Sequence, residues 1–224
     1  MQPAKAPLPG GAFILRAIVV ANGELEQPAR LKARLVDWAE ARVIAADGGL
    51  RNCRKLGLVP ESIIGDLDSV NPSEVLQLQR AGVQLLRRPQ QKDETDLELA
   101  LFRALELGIA QVVVLGAVGG RLDMSLANLL MLAHPRLAEL EIRLWSGDQT
   151  AWLLRPPGGE LSGRPGEPLS LIALGGEATG VATEGLEYPL RDETLDLGVP
   201  RGVSNVLTAS TAQVQLKTGL LLAV

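Results

Sequence analysis

Between residues 13 and 148 the apolar positions fall into short β-branched runs: FILRAIVVAN, ARVIAAD, SIIGD, VQLLRRP, QVVVLGA and EIRLWSGD. A helical pattern separates each run from the next, which is the order expected of parallel strands joined by crossover helices. The pattern is sharpest in TDLELALFRALELG. There Leu97, Ala100, Leu101, Ala104 and Leu105 share one face of a 3.6-residue period, Thr95 and Glu98 have capping-box spacing, and Gly108 supplies a stop. From about residue 149 the texture changes. TAWLLRPPG, PLSLIALGG, GVATEGLEYPL, ETLDLG and AQVQLKTGLLLAV are short, rich in Val, Thr and Leu, and broken by Gly and Pro too often for helices. The pattern predicts an α/β domain over 13–148 and a small all-β sandwich or barrel over 149–224. The first segment, MQPAKAPLPGGA at 1–12, has the composition of a loose tail.

With 224 residues, 46% of them apolar, the chain can bury a sizeable core as one large or two small domains. Its net charge of −4 and the lack of any dense Lys/Arg block argue against a nucleic-acid partner. No apolar run reaches membrane-spanning length, so no membrane partner is expected. A single cysteine, Cys53, and no signal-like start fit a reducing cytoplasm. The one histidine, His134, precedes Pro135 at the end of a leucine-rich helix, where an imidazole beside the last carbonyls is the plain reading. Catalytic triads and His-rich zinc sites would have to be built on that residue alone.

Ligands of open parallel sheets bind outside the carboxyl ends of the strands. At those ends this chain collects acids. ARVIAAD ends in Asp47, followed by Gly48 and Gly49; SIIGD leads to Asp66 and Asp68; VQLLRRP leads to Lys92, Asp93, Glu94, Thr95 and Asp96; QVVVLGA leads to Gly119, Gly120, Arg121 and Asp123. Each group alone has a plainer reading: a strand-to-helix turn at Asp47, an N-cap at Thr95, a carboxylate favoured by the helix dipole at Asp96. Converging on one rim, four carboxylates would repel one another strongly without a bound cation. Carboxylate oxygens without His or Cys favour Mg²⁺ or Ca²⁺, and a rim with few fixed ligands suits Mg²⁺ carried by a phosphate substrate. In GAVGGRLDMSLANLL a buried strand enters a glycine-rich turn that opens a helix, so backbone N–H groups and Arg121 can meet an anion while Asp123 faces the metal. The chain has neither GxxxxGK[ST] nor GxGxxG, so an ordinary P-loop or dinucleotide site is not supported.

GDLDSV also resembles the DxDx[TV] start of haloacid-dehalogenase phosphatases. That family places the motif on the first strand; here it follows the third, and AADGG and GGRLD are left unexplained. Taken in order, AADGG, IIGDLDS, KDETDLELAL and GAVGGRLDMSLANLLML, followed by GLEYPL and GVSN, resemble the thiamine pyrophosphokinase (thiamine diphosphokinase) family over about residues 16–224. The resemblance implies transfer of a diphosphoryl group from ATP to the hydroxyl of thiamine, giving thiamine diphosphate and AMP. It also implies a Rossmann-like nucleotide-binding α/β domain, a β-sandwich domain, and a homodimer with sites between subunits. On the matching positions Asp66, Asp68, Asp96 and Asp123 would hold Mg²⁺ and organise the phosphates, with Arg121 offsetting developing charge. Asp47, Gly48, Lys92, Asp93, Thr95, Gly119 and Gly120 would form the nucleotide rim. Tyr188, Ser204 and Asn205 would meet thiamine, whose thiazolium cation suits an acidic cleft with an aromatic wall. Met124 stands where many members have a polar residue, and Tyr188 where some have Trp. A diphosphokinase for another hydroxymethyl heterocycle, such as a pterin, and a binding module without catalysis stay open. So does the choice of Asp96 or Asp68 as general base.

Overall fold

The computed structural model describes residues 14–68, 70, 72–89, 91 and 93–224, so the expected tail at 1–12 lies outside the described residues. The chain divides into two compact units, one spanning Phe13–Asp148 and the other holding Gln149–Val224. Among the described residues no helix is long and apolar enough to cross a membrane.

The first unit is a parallel sheet with crossover helices. Its elements run β1 Arg16–Val20, α1 Pro28–Arg34, β2 Arg42–Ala46, α2 Gly49–Leu56, β3 Ser62–Gly65, α3 Pro72–Arg80, β4 Gln84–Arg87, α4 Asp96–Glu106, β5 Gln111–Leu115, α5 Leu122–Met131 and β6 Glu141–Ser146. The strand order is β6-β5-β1-β2-β3-β4, every pair parallel. Inner strands such as β1 and β5 are buried along almost their whole length, which is why they read as unbroken apolar runs. The edge strand β4 is only partly covered. Ile18, Val20, Val43, Ala45, Ile63, Val113 and Leu115 pack with Leu31, Leu50, Cys53 and Leu56 from the helices. Helix α4 starts in a complete capping box: Glu98 N donates to Thr95 Oγ1 at 3.1 Å, and Thr95 N donates to Glu98 Oε2 at 3.4 Å.

From β1 the chain builds outward through β2, β3 and β4, then crosses back to place β5 on the other flank of β1. Val20, at the end of β1, is therefore in register with both Ala45 and Leu115. The chain goes on from β1 to β2 on one flank and from β5 to β6 on the other, and such a switch point opens a crevice at the carboxyl edge.

The second unit is antiparallel. It contains β7 Gln149–Leu154, β8 Gly158–Ser162, β9 Pro168–Leu169, β10 Leu171–Ala173, β11 Ala178–Glu184, β12 Glu193–Leu195, β13 Asn205–Val206, β14 Thr211–Gln215 and β15 Leu221–Ala223. The pairings run β10-β15-β7, β12-β11-β14-β8 and β13-β9. Strand β14 alternates strictly, with Ala212 and Val214 buried and their neighbours exposed. Its inward residues join Trp152, Leu161, Leu169, Leu171, Val181 and Leu195 in one core. The result is a mixed chain of one α/β layer and one all-β unit, the fold class the periodicity predicts.

Candidate active site

The switch-point crevice holds a cavity of about 400 Å³, lined by Ala21, Asn22, Gly23 and Glu24 after β1, by Gly116, Gly119, Gly120 and Arg121 after β5, and by Asp47, Thr95, Asp96, Met124 and Asn128. Backbone bonds lock the two loops together: Ala21 N donates to Leu115 O and Gly23 N to Gly116 O, each at 2.8 Å. A Cβ on Gly23 would sit 2.4 Å from Gly116 O, so this approach requires glycine. Gly119 and Gly120 have φ of 96° and 74°, which lets the turn wind back into α5.

Three polar side chains hold these loops from behind. Asn52 of α2, 3% exposed, donates to Ala21 O and Gly23 O at 2.8 Å each. Asn128 of α5 donates to Ala117 O at 2.6 Å. Ser125 Oγ accepts from Gly119 N at 3.0 Å and donates to Arg121 O at 2.9 Å. None of the three was a sequence-derived site residue. The available signal for Asn52 was a polar residue on the stripe Gly49, Asn52, Cys53, Leu56, all buried. Asn22 Oδ1 in turn accepts from Arg51 Nη2 at 2.8 Å, and buried Gly48 leaves room for the Asn22 side chain.

The acids divide by geometry. Asp47, Asp66 and Asp68 each offer a carboxylate oxygen within 4.8 Å of the others. Strands β2 and β3 are adjacent with Ala46 opposite Ile64, so the residues that follow them emerge side by side. The group is braced by the backbone: Asp47 N donates to Ile64 O at 2.7 Å, Leu67 N donates to Asp47 Oδ1 at 3.2 Å, and Asp68 N donates to Asp66 Oδ1 at 3.1 Å. Asp47 and Leu67 both take positive φ, 39° and 61°, at this bend. Burial pushes the Asp47 carboxyl above its ordinary value, and the carboxylates of Asp96 and Asp66 add to that push, against hydrogen bonds from the N–H groups of Gly48 and Leu67.

The resemblance implies Asp66, Asp68, Asp96 and Asp123 as the metal set and leaves Asp47 to the nucleotide rim; among the described residues the converging oxygens are those of Asp47, Asp66 and Asp68. Asp96, first residue of α4, lines the cavity beside Asp47. Asp123 is held locally, accepting from Arg121 Nε at 3.1 Å and Nη2 at 2.5 Å, with Met124 N on Oδ1 at 2.9 Å. That fork holds the Asp123 carboxyl below its ordinary value and raises the guanidinium. Asp93 is exposed, and Lys92 lies outside the described residues. His134 lines no part of the cavity: its Nδ1 accepts from Arg136 N at 3.1 Å and its ring stands edge-on to Phe102 at 5.4 Å.

In the second unit Tyr188 is 57% exposed, so its ring is not core. Asn205, 6% exposed, clamps the Tyr188 backbone from both sides: Tyr188 N donates to Asn205 Oδ1 at 3.0 Å, and Asn205 Nδ2 donates to Tyr188 O at 2.7 Å. Ser204 takes φ of 60°, and its N–H donates to Ser170 Oγ at 3.1 Å. Tyr188 and Asn205 are thus brought together, with the Asn205 amide committed to backbone.

A switch-point crevice with a glycine-rich turn, a guanidinium and a carboxylate triad is the arrangement of an α/β phosphotransferase. Residues 33–144 match the family described as thiamin pyrophosphokinase, catalytic domain, and residues 160–221 match the thiamin pyrophosphokinase vitamin B1 binding domain. The thiamine pyrophosphokinase of Bacillus subtilis (strain 168) is 29% identical over 182 residues, covering 80% of this chain and 84% of that protein. Thiamine pyrophosphokinase 1 of Oryza sativa subsp. japonica is 25% identical over 231 residues, covering 92% and 85%. Among solved structures, the Bacillus subtilis thiamine pyrophosphokinase superposes with a TM-score of 0.80 at 24% identity, covering 93% of this chain and 97% of that one. The yeast thiamin pyrophosphokinase does so with 0.76 at 14% identity, covering 96% and 87%. The chain belongs to the thiamine pyrophosphokinase family, a family of ATP-dependent diphosphotransferases.

Proposed function

We propose that this chain carries out Mg²⁺-dependent transfer of a diphosphoryl group from ATP to the hydroxyethyl oxygen of thiamine, yielding thiamine diphosphate and AMP. The observation that carries the metal part is the convergence of Asp47, Asp66 and Asp68 within 4.8 Å. Three hard oxygen donors without His or Cys fit Mg²⁺, and the upward push on Asp47, from burial first and then from the carboxylates of Asp96 and Asp66, is a cost a divalent cation relieves. When bound, Mg²⁺ would neutralise phosphate charge and polarise the phosphorus under attack.

The protein's own groups supply positioning. Gly119 and Gly120 present backbone to the phosphates, and Arg121 can exchange its exposed carboxylate partner Asp123 for a phosphate oxygen. The acceptor oxygen forms a bond to the β-phosphorus as the bond from that phosphorus to the bridging oxygen of AMP breaks; the bridging oxygen leaves with AMP. The hydroxyl proton passes to a carboxylate of the rim, Asp96 or Asp68. Thr95 fixes the start of α4 and so the place of Asp96. The exposed ring of Tyr188 offers a face to the thiazolium cation, with Asn205 setting its backbone and Ser204 beside it. A homodimer is supported by α5, where Leu122, Leu126 and Leu130 form an exposed stripe of the kind another copy of the chain would cover.

The test is AMP release from ATP and Mg²⁺ with and without thiamine, with the product mass determined. AMP formed only with thiamine, together with a product heavier by one diphosphoryl group, is the expected result. AMP formed only with a different heterocycle, or inorganic phosphate released from phosphate esters, overturns it.

A further inference from the structure

Glu24 lines the crevice with an exposed side chain and takes no part in the carboxylate triad. It follows directly on Gly23, whose N–H is locked to Gly116 O, so its place beside the loop after β5 is fixed from the backbone. Its carboxylate lies over the glycine turn with one oxygen toward each residue: a Cβ on Gly119 would stand 3.7 Å from Oε2, and one on Gly120 would stand 3.7 Å from Oε1. A side chain at position 119 would also press on Glu24 itself, 3.1 Å from its Cβ, so the bare turn leaves the room that the carboxylate occupies. Both oxygens are without a hydrogen bond or ion pair among the described residues, and Arg121, at the end of the same turn, forks onto Asp123 instead. The carboxylates that act on Asp47 are those of Asp96 and Asp66, so Glu24 stands apart from the metal end of the crevice.

A carboxylate beside the phosphate position limits what can touch it. Phosphate oxygens are themselves acceptors and carry the same sign of charge, so they belong toward Arg121 and the backbone N–H groups of the turn. The group joined to the innermost phosphate of a nucleotide is its ribose, and the 2′- and 3′-hydroxyls are the first donors met on leaving the phosphates. These hydroxyls are neighbours, and a carboxylate has two oxygens to receive them, in hydrogen bonds strengthened by its charge. Dinucleotide-binding sheets use an acidic side chain on ribose in the same way. We propose that Glu24 accepts hydrogen bonds from the ribose hydroxyls of the bound nucleotide and so selects ribonucleotides over their deoxy forms. This rests on the crevice being the nucleotide site of the proposed reaction.

The experiment measures dissociation constants by titration calorimetry, in Mg²⁺, for AMP, 2′-deoxy-AMP, 3′-deoxy-AMP and purine riboside monophosphate. The proteins are the native enzyme, Glu24→Ala and Glu24→Gln. Loss of a hydroxyl that donates to an ionised acceptor should weaken binding to the native enzyme about tenfold or more. In Glu24→Ala the ratio of each deoxy form to AMP should collapse toward one, and Glu24→Gln, which keeps one acceptor oxygen, should fall between. The ratio of purine riboside monophosphate to AMP should be the same in all three proteins; a change confined to that ratio would assign Glu24 to the base amine and overturn the proposal. A purely structural role would weaken all four nucleotides by one factor and leave the ratios intact, which also overturns it. So does a raised Mg²⁺ requirement or a raised KM for thiamine with the deoxy ratios unaltered. A native enzyme that binds AMP and both deoxy forms alike overturns it without any variant. Binding of AMP needs no thiamine, so an absence of thiamine-dependent AMP formation would sink the proposed reaction while these ratios still read out.

Discussion

Replacing Asp66 with asparagine should make the metal-free protein more stable while abolishing its activity. Two unit charges 4.8 Å apart, the bound on the separations in the triad, repel by about 0.9 kcal/mol at the dielectric of water and about 3.5 kcal/mol at an effective value near 20. Asp47 and Asp66 are partly buried and Asp68 is exposed, so the rim lies between those limits. The Asp66→Asn change would end two repulsive pairs while keeping an amide oxygen to accept from Asp68 N. The net gain should be about 1–3 kcal/mol at low salt, or several degrees in Tm for a chain of this length. Thermal unfolding would be followed for both proteins in EDTA and in excess Mg²⁺. The native protein should gain stability from Mg²⁺ and the variant little, so the order of the two melting temperatures narrows or reverses on adding metal. A variant that melts at or below the native protein in EDTA, or that gains as much from Mg²⁺, would refute the electrostatic account of the triad.

Gly23→Ala should force the loops after β1 and β5 apart, because its Cβ would lie 2.4 Å from Gly116 O; a loss of about 1–3 kcal/mol in urea unfolding and a raised KM for ATP are expected, and an unchanged KM would show that this contact does not shape the cavity. Glu61 is held below its ordinary carboxyl value of 4.5 by its hydrogen bond to Arg42, so the unfolded chain binds the proton more readily and this contribution fades as pH falls below about 4.5. Glu61→Gln should flatten that part of the stability-against-pH curve, and an unaltered slope there would deny the linkage. Tyr188→Ala should raise the KM for thiamine with little change for ATP. Asn205→Ala should produce the same selective effect through loss of the clamp, together with about 1–3 kcal/mol of stability; thiamine KM values that do not move would remove both residues from thiamine binding.

The α/β layer was legible because its inner strands are covered on both faces, and so appear as runs of Val, Ile, Leu and Ala that no other element interrupts. The start of α4 was legible because Thr95 and Glu98 satisfy each other within four residues. That Asp47, Asp66 and Asp68 share the carboxyl edge was legible too, but not that their oxygens meet within 4.8 Å, because that follows from β2 lying beside β3, a pairing between segments separated by a helix. Asp123 pairs locally, with Arg121 two residues away, whose guanidinium forks onto its carboxylate. The roles of Asn52 behind the loops and of Asn205 as a clamp on Tyr188 were not legible; the resemblance implies Asn205 only as a thiamine contact. In both cases the partners are backbone atoms of distant segments, which carry no residue-type signal.

The order of strands has a consequence for the kind of bond this site would break. The crevice opens between β5 and β1, whereas two of the three converging acids follow β3, and β5, β1, β2 and β3 lie consecutively in the sheet. Two strand intervals, about 10 Å at the usual spacing, separate the β1 side of the crevice from β3, and Asp47 after β2 bridges them, since it lines the cavity and lies within 4.8 Å of the other two acids. With the phosphates reaching from the glycine turn after β5 to the acids after β2 and β3, the sheet acts as a gauge block. The phosphorus presented to the acceptor would then be chosen by backbone spacing, and replacing one side chain should change how fast the bond breaks far more readily than which bond it is.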